Sequence, residues 1–222
     1  MDQSTVEPSK AGRGRSTGVL LHPTALPGSP VCGSFGEPCR RWLNLLAAHN
    51  IGVWQMLPLA PPDPTGSPYS SPSCNALNSW FLDGQDLANE GFINEDALWE
   101  APGAAGPLDG EERVNFSLAQ QRASALGDAL IQAWSEQDQE RHANFTKWAH
   151  QQRTWLEDHA RFRVLHDQHG TAWWDWPLPL ARHDNNAMRA WAEQHHEALL
   201  REQLIQWHLD RQWQAIRSQA AD

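Results

Sequence analysis

Basic residues are scarce in this chain: 17 Lys and Arg stand against 27 Asp and Glu, a formal net charge of −10 over 222 residues. Affinity for nucleic acid comes from Lys and Arg that displace counterions from phosphates. No basic cluster offsets the acidic balance, so nucleic acid is excluded as a partner. Long apolar runs are also missing. A bilayer-spanning helix needs about 20 mostly apolar residues, and no run of that length exists, so no membrane association is expected. Cysteine is sparse. Cys32, Cys39 and Cys74 leave one thiol unpaired under any disulfide scheme, and their spacings fit no zinc-binding pattern. They read as reduced thiols of a cytoplasmic protein, with no metal site and no cofactor expected. The first fifteen residues hold Asp2, Glu7, Lys10, Arg13 and Arg15 without the apolar centre of a secretory signal. Residues 1–15 read as a disordered tail, in which Gly12-Arg13-Gly14 is too short to be a phosphate loop.

Tyrosine is the rarest aromatic, with Tyr69 its single instance, whereas tryptophan occurs 13 times. Indole faces stack on sugars, but most of these tryptophans fall at helical spacings where core packing accounts for them. Tyr69 is different. It lies in residues 52–83, where a short apolar strand, Val53-Trp54-Gln55-Met56-Leu57, breaks at Pro58 into a loop rich in Pro, Gly and Ser. A strand that empties into a stiffened loop holding one aromatic ring and several hydroxyls has the form of a ligand site at a strand's carboxyl end.

Upstream, Gly18-Val19-Leu20-Leu21-His22 is an apolar run closed by Pro23, which predicts a buried parallel strand. Between the two strands, Cys39, Trp42, Leu43, Leu46 and Ala47 recur at helical spacing. This predicts an amphipathic helix over 37–50, with Ser34 as N-cap, Pro38 in the first turn and Gly52 as the stop. Strand, helix, strand within about forty residues is a βαβ unit, whose strands run parallel. Residues 86–110 predict short helices and loops, punctuated by Pro102-Gly103 and Gly106-Pro107. Residues 118–170 predict continuous helix ending at Gly170, with Leu126, Leu130, Trp134, Trp148, Trp155, Phe162 and Leu165 on its apolar side. Pro177 and Pro179 interrupt the helix after Trp173. A last helix is predicted from about 187 to 220, with Ile205, Leu209, Trp213 and Ile216 on one stripe.

Three acidic pairs, Glu111-Glu112, Asp138 with Glu140, and Glu157-Asp158, read as solvated faces. His22, ending the first strand, reads as a packing or supporting residue rather than a catalytic one.

Several segments in register carry a resemblance. Ser16-Thr17-Gly18-Val19-Leu20-Leu21-His22-Pro23-Thr24-Ala25-Leu26-Pro27-Gly28, Trp54-Gln55-Met56-Leu57-Pro58-Leu59 and Gly66-Ser67-Pro68-Tyr69-Ser70-Ser71 resemble the amino-terminal part of 4-α-glucanotransferases, also called amylomaltases or disproportionating enzymes. The likeness returns in Trp155-Leu156-Glu157-Asp158, Trp176-Pro177-Leu178-Pro179-Leu180, Gln206-Trp207 and Arg211-Gln212-Trp213. The resemblance implies transfer of α-1,4-glucan segments between maltodextrin chains, without a cofactor. It implies that Tyr69 stacks on a donor glucose and that Ser67 hydrogen-bonds it, beside the cleaved bond. Retaining transfer needs a carboxylate nucleophile and a second carboxyl group as acid and base. In the resembled family these lie on later barrel strands, in motifs without counterpart here, so no residue of this chain is assigned a catalytic role.

The fold class expected is α/β, the amino-terminal part of a (β/α)8 TIM-type barrel with a large helical insertion after the second strand. Such a barrel takes eight units and typically about 250 residues. The expected organisation is tail 1–15, βαβ unit with substrate loop 16–85, helical insertion 86–195 packing largely on itself, and barrel helix 196–222 leading to a third strand outside these residues. The competing reading is a standalone glucan-binding or helical interaction module.

Overall fold

The structure, a computed structural model, describes residues 15–28, 31–104 and 114–221. Its strands are β1 (Gly18–Leu20) and β2 (Val53–Gln55), and its helices are α1 (Glu37–Ala48), α2 (Gly84–Asn89), α3 (Glu95–Glu100), α4 (Phe116–Trp134), α5 (Gln139–His169), α6 (Leu178–Ala181), α7 (Asn185–Gln194) and α8 (His196–Ala221). Short 3-10 turns occupy Pro23–Ala25, Pro68–Ser70, Ser79–Phe81 and Trp173–Asp175. Gly12-Arg13-Gly14, Gly106-Pro107, Glu111-Glu112 and all of the tail but Arg15 lie outside the described residues.

β1 and β2 pair in parallel, with Gly18 opposite Val53, Val19 opposite Trp54 and Leu20 opposite Gln55. The Leu21 N–H extends the ladder to the Gln55 carbonyl at 3.0 Å. Strand, helix and parallel strand therefore follow in the predicted order. The strands are shorter than predicted, because the chain turns at Pro23 and at Pro58, which have no N–H for a ladder. They are also less buried: Leu20 is 57% and Val53 45% exposed, since each strand has the other as its sole neighbour among the described residues.

α1 buries Cys39 and Leu46 and packs Trp42 and Leu43 on the core, while Ala47 faces solvent. Neither predicted cap holds. Gly36 occupies the N-cap without a side-chain bond, and Ser34 instead donates its hydroxyl to Asp83 Oδ2 at 2.6 Å. The stop is not Gly52 but Asn50, whose φ of 55° is left-handed. Asparagine tolerates that conformation better than most residues.

The helix predicted over 118–170 is two. α4 ends at Trp134, and α5 starts after Asp138, whose carboxylate accepts the Arg141 N–H at 2.8 Å. An N-cap carboxylate of this kind satisfies one of the free amides of a new helix start. Gly170, at φ 62°, closes α5 as predicted. Pro179 does not forbid helix: it sits in the first turn of α6, where a missing N–H costs nothing. The last helix is likewise divided, into α7, capped by Asp184, and α8.

One core cluster draws Phe35 and Cys39 from around α1, Phe81 and Leu87 from the next segment, Leu126 and Leu130 from α4, and Leu204, Leu209 and Ile216 from α8. The helices between 86 and 195 thus do not pack largely on themselves. α4 and α5 lie against α8, which also reaches α1. Each fully buried aliphatic side chain contributes about 1.5–3 kcal/mol, so the stripe of α8, with Leu204 and Leu209 wholly buried, dominates the assembly. Trp134, Trp148 and Trp213 pack against this cluster, in agreement with the core reading of the tryptophans. A smaller cluster of Leu165, Trp176, Met188 and Trp191 joins α5 to α7.

Candidate functional site: the loop after the second strand

The loop that leaves β2 is organised by one carboxylate. Asp63 Oδ1 accepts the Thr65 N–H at 2.8 Å, the Thr65 hydroxyl at 2.6 Å and the Ser67 N–H at 3.0 Å. The Asp63 N–H donates in turn to the Ser67 carbonyl at 3.0 Å. These donors, the Thr65 hydroxyl first, hold the Asp63 carboxyl below its ordinary value. Gly66 takes φ 85°, and a Cβ there would come within 2.5 Å of the Phe116 ring. Phe116 in turn stacks on Trp80, with centroids 5.0 Å apart. A non-glycine residue at 66 would meet both a steric clash and an unfavourable backbone.

Ser67 Oγ accepts the Tyr69 N–H at 3.4 Å and so caps the Pro68–Ser70 turn. The cap uses the oxygen and leaves the hydroxyl proton free to rotate toward a ligand. Tyr69 is 71% exposed. Ser67 and Tyr69 thus stand two residues apart in a loop whose backbone is held by hydrogen bonds.

His22 supports this region from the end of β1. Pro58 O can only accept, so His22 Nε2 donates to it at 3.4 Å, and Nδ1 takes the Thr24 hydroxyl at 2.8 Å. The ring leans on Phe81, and burial lowers its pKa. The imidazole joins the ends of the two strands, as the supporting role predicted.

The return leg of the loop is fixed by two glutamines of α8. Gln206 Oε1 accepts the Leu77 N–H at 2.9 Å and its Nε2 donates to the Leu77 carbonyl at 3.0 Å. Six residues on, Gln212 does the same to Asp83, with both bonds at 3.0 Å. Each primary amide replaces a strand neighbour for a backbone that has none. Both side chains are buried. Asp83 Oδ1 caps α2 through the Asp86 N–H at 2.9 Å. Burial raises its carboxyl pKa against the opposing effect of the Ser34 bond. A Cβ on Gly36 would lie 2.1 Å from Asp83 Oδ2, which explains glycine at that approach.

The family model described as 4-alpha-glucanotransferase matches residues 21–222, a span that takes in β2, the loop and the whole of α8. The chain belongs to the 4-alpha-glucanotransferase family. It is 31% identical over 208 residues to a 4-alpha-glucanotransferase of Synechocystis sp., and 33% identical over 208 residues to one of Thermus thermophilus. Each match covers 93% of this chain and 40% of the relative, so the chain spans well under half the length of these proteins. Among solved structures, an amylomaltase from Streptococcus agalactiae in complex with acarbose has the same fold over 94% of this chain and 41% of its own. The TM-score is 0.85 at 24% identity.

Two of the three acidic pairs noted in the sequence lie exposed on or beside α5. Glu157 and Asp158 both pair with Arg161 at 3.1 Å on the outer face of α5. Asp138 caps that helix and Glu140 sits in its first turn. Among the described residues no group of three or more His, Cys, Asp or Glu is placed to hold a metal ion, and no helix is long and apolar enough to cross a membrane.

Sequence reasoning missed Glu202. Its carboxyl is buried, accepts from Arg201 Nη1 at 2.6 Å and has its pKa raised by desolvation. It borders a cavity of 540 Å³ beneath the loop, together with His159, Arg163 and Gln206. Glu202 follows no motif and looks like any polar position of an amphipathic helix. Gln206 and Gln212 were visible only as parts of the family likeness, because their partners lie 129 residues away.

Proposed function

We propose that this chain is the amino-terminal part of a 4-α-glucanotransferase that moves α-1,4-glucan segments between maltodextrin chains. Transfer proceeds with retention, through a glycosyl-enzyme intermediate. In this reading β1, α1 and β2 are the opening units of a (β/α)8 barrel. Residues 16–85 carry the substrate loop, 86–195 are an insertion, and 196–222 are the barrel helix that precedes the third strand. The catalytic carboxylates come from later strands. The enzyme works in the cytoplasm, as the three unpaired thiols suggest.

The observation that supports this most directly is Tyr69: a ring 71% exposed on a loop whose backbone is pinned by Asp63, Ser67 and Gln206. A large apolar side chain held out to solvent by an ordered loop is pre-organised for contact, so little entropy is lost when a sugar stacks on it. The hydroxyl proton of Ser67, one turn away, supplies a directional bond to the same glucose.

The test is Tyr69→Ala in the full-length enzyme, assayed by maltotriose disproportionation. A stacking and orienting ring contributes about 1–3 kcal/mol to the transition state, so kcat/KM falls about ten- to a hundredfold. The melting temperature stays within about 2 °C of wild type, because Tyr69 is 71% exposed and its loss is a surface change. Wild-type kinetics in the folded variant refute the assignment.

A further inference from the structure

Between Pro62 and Pro68 the backbone N–H groups are those of Asp63, Thr65, Gly66 and Ser67, since Pro64 has none. All of them are satisfied inside this stretch, and Asp63 is a party to every bond. Its N–H donates to the Ser67 carbonyl at 3.0 Å, and its own carbonyl accepts the Gly66 N–H at 2.9 Å. Its carboxylate Oδ1 accepts the Thr65 and Ser67 N–H groups at 2.8 and 3.0 Å, and the Thr65 hydroxyl at 2.6 Å. The result is a closed ring over 63–67, turned through Gly66 at φ 85°. Gly66 seats the ring against Phe116, the first residue of α4, whose side chain stacks on Trp80.

The ring adds little to the stability of the whole fold. Asp63 is only half-buried and Thr65 is exposed, so water reaches the donors when the carboxylate is removed. What the carboxylate decides is the path of the backbone. Pro64 and Pro68 fix their own φ, but Thr65, Gly66 and Ser67 lie between them, and glycine is the least restricted residue of all. The Tyr69 N–H is held only by Ser67 Oγ, at 3.4 Å. That bond fixes Tyr69 relative to Ser67, and Oδ1 of Asp63 fixes Ser67 relative to the ring.

We infer that Asp63 is a positioning residue of the transfer reaction: its carboxylate sets where Ser67 and Tyr69 stand when the donor sugar arrives. It acts through those two residues rather than on the sugar. The inference rests on the proposed glucan contact of Tyr69 and Ser67. One carboxylate oxygen serves three donors here, and hydrogen bonds to a charged acceptor are the strong ones. A neutral amide oxygen in the same place makes the same bonds more weakly, and a methyl group makes none. Activity therefore grades with the acceptor, Asp above Asn above Ala, while global stability does not.

The test uses the full-length enzyme. Asp63→Ala is expected to lower kcat/KM for maltotriose disproportionation about five- to twentyfold and Asp63→Asn about two- to threefold, with melting temperatures within about 2 °C of wild type. Hydrogen exchange at the Thr65 and Ser67 amides, read without substrate, is expected to speed about tenfold in Asp63→Ala. Added to an enzyme that already carries Ser67→Ala and Tyr69→Ala, Asp63→Ala should lower activity by less than about twofold, because nothing is left for it to position. Wild-type kinetics in Asp63→Ala overturn the inference, as do unchanged exchange at 65 and 67 or an undiminished loss in the Ser67→Ala/Tyr69→Ala background. A fall in melting temperature that tracks the loss of activity also overturns it, since the carboxylate would then act on the fold. Wild-type kinetics in Tyr69→Ala instead strike the proposed glucan contact, and with it the role of Asp63, while leaving the exchange result intact.

Discussion

Gln212→Ala isolates the device that holds the loop after β2 to α8. The wild-type side chain gives Asp83 an acceptor and a donor, both at 3.0 Å and both buried. Two neutral hydrogen bonds contribute about 0.5–1.5 kcal/mol each, and the truncation also strands a buried N–H and carbonyl, so the expected loss is about 2–4 kcal/mol. For a chain of this size each kcal/mol moves the melting temperature about 2–4 °C, which predicts a fall of about 4–16 °C. Gln214→Ala is the matched control, two residues along on the exposed face, where a change within about 0.5 kcal/mol is expected. Thermal melts followed by circular dichroism measure the difference. Hydrogen exchange adds locality: the Asp83 amide should lose protection while the Leu77 amide, clamped by Gln206, keeps most of its own. If Gln212→Ala melts with the control and Asp83 exchanges at its wild-type rate, the glutamine clamp is not what orders the loop.

Two further outcomes follow from buried titratable groups. Burial, with help from Arg163, lowers His159 from 6.5 to about 4. Because the unfolded chain takes up the proton first, its contribution to stability is complete above pH 6.5 and is lost as pH falls toward 4. His159→Gln should therefore flatten the dependence of unfolding free energy on pH in that window by up to one proton, as read by urea titrations at several pH values, and an unchanged slope contradicts the burial of a neutral imidazole. Burial also pushes the Cys32 and Cys39 thiols up to about 12, while Cys74 is exposed. A thiol reagent at pH 8 should modify one cysteine per native chain and all three in denaturant, with peptide mapping to identify Cys74, and rapid modification of Cys39 in the native state would refute the packing around α1.

Local chemistry was enough for much of this architecture. Pro23 and Pro58 close the strands, the recurrence of Cys39, Trp42, Leu43 and Leu46 makes α1 amphipathic, and Gly170 ends α5. Each of these signals acts over a few residues, so the linear order of residue types carries it. The family and the outward Tyr69 loop were legible for the same reason, as contiguous motifs. Where the prediction failed, a distant partner had competed successfully for a local one. Ser34 was predicted to cap α1 and instead serves Asp83, 49 residues on, because a buried carboxylate gains more from a hydroxyl than an exposed helix start does. Asp138 divides one predicted helix into two so that both α4 and α5 can lie against α8. The pairing of Gln206 with Leu77 and Gln212 with Asp83 and the burial of Glu202 have no local signature at all. They arise where helices far apart in sequence meet, and a polar group's worth is decided there by what surrounds it once water has been removed.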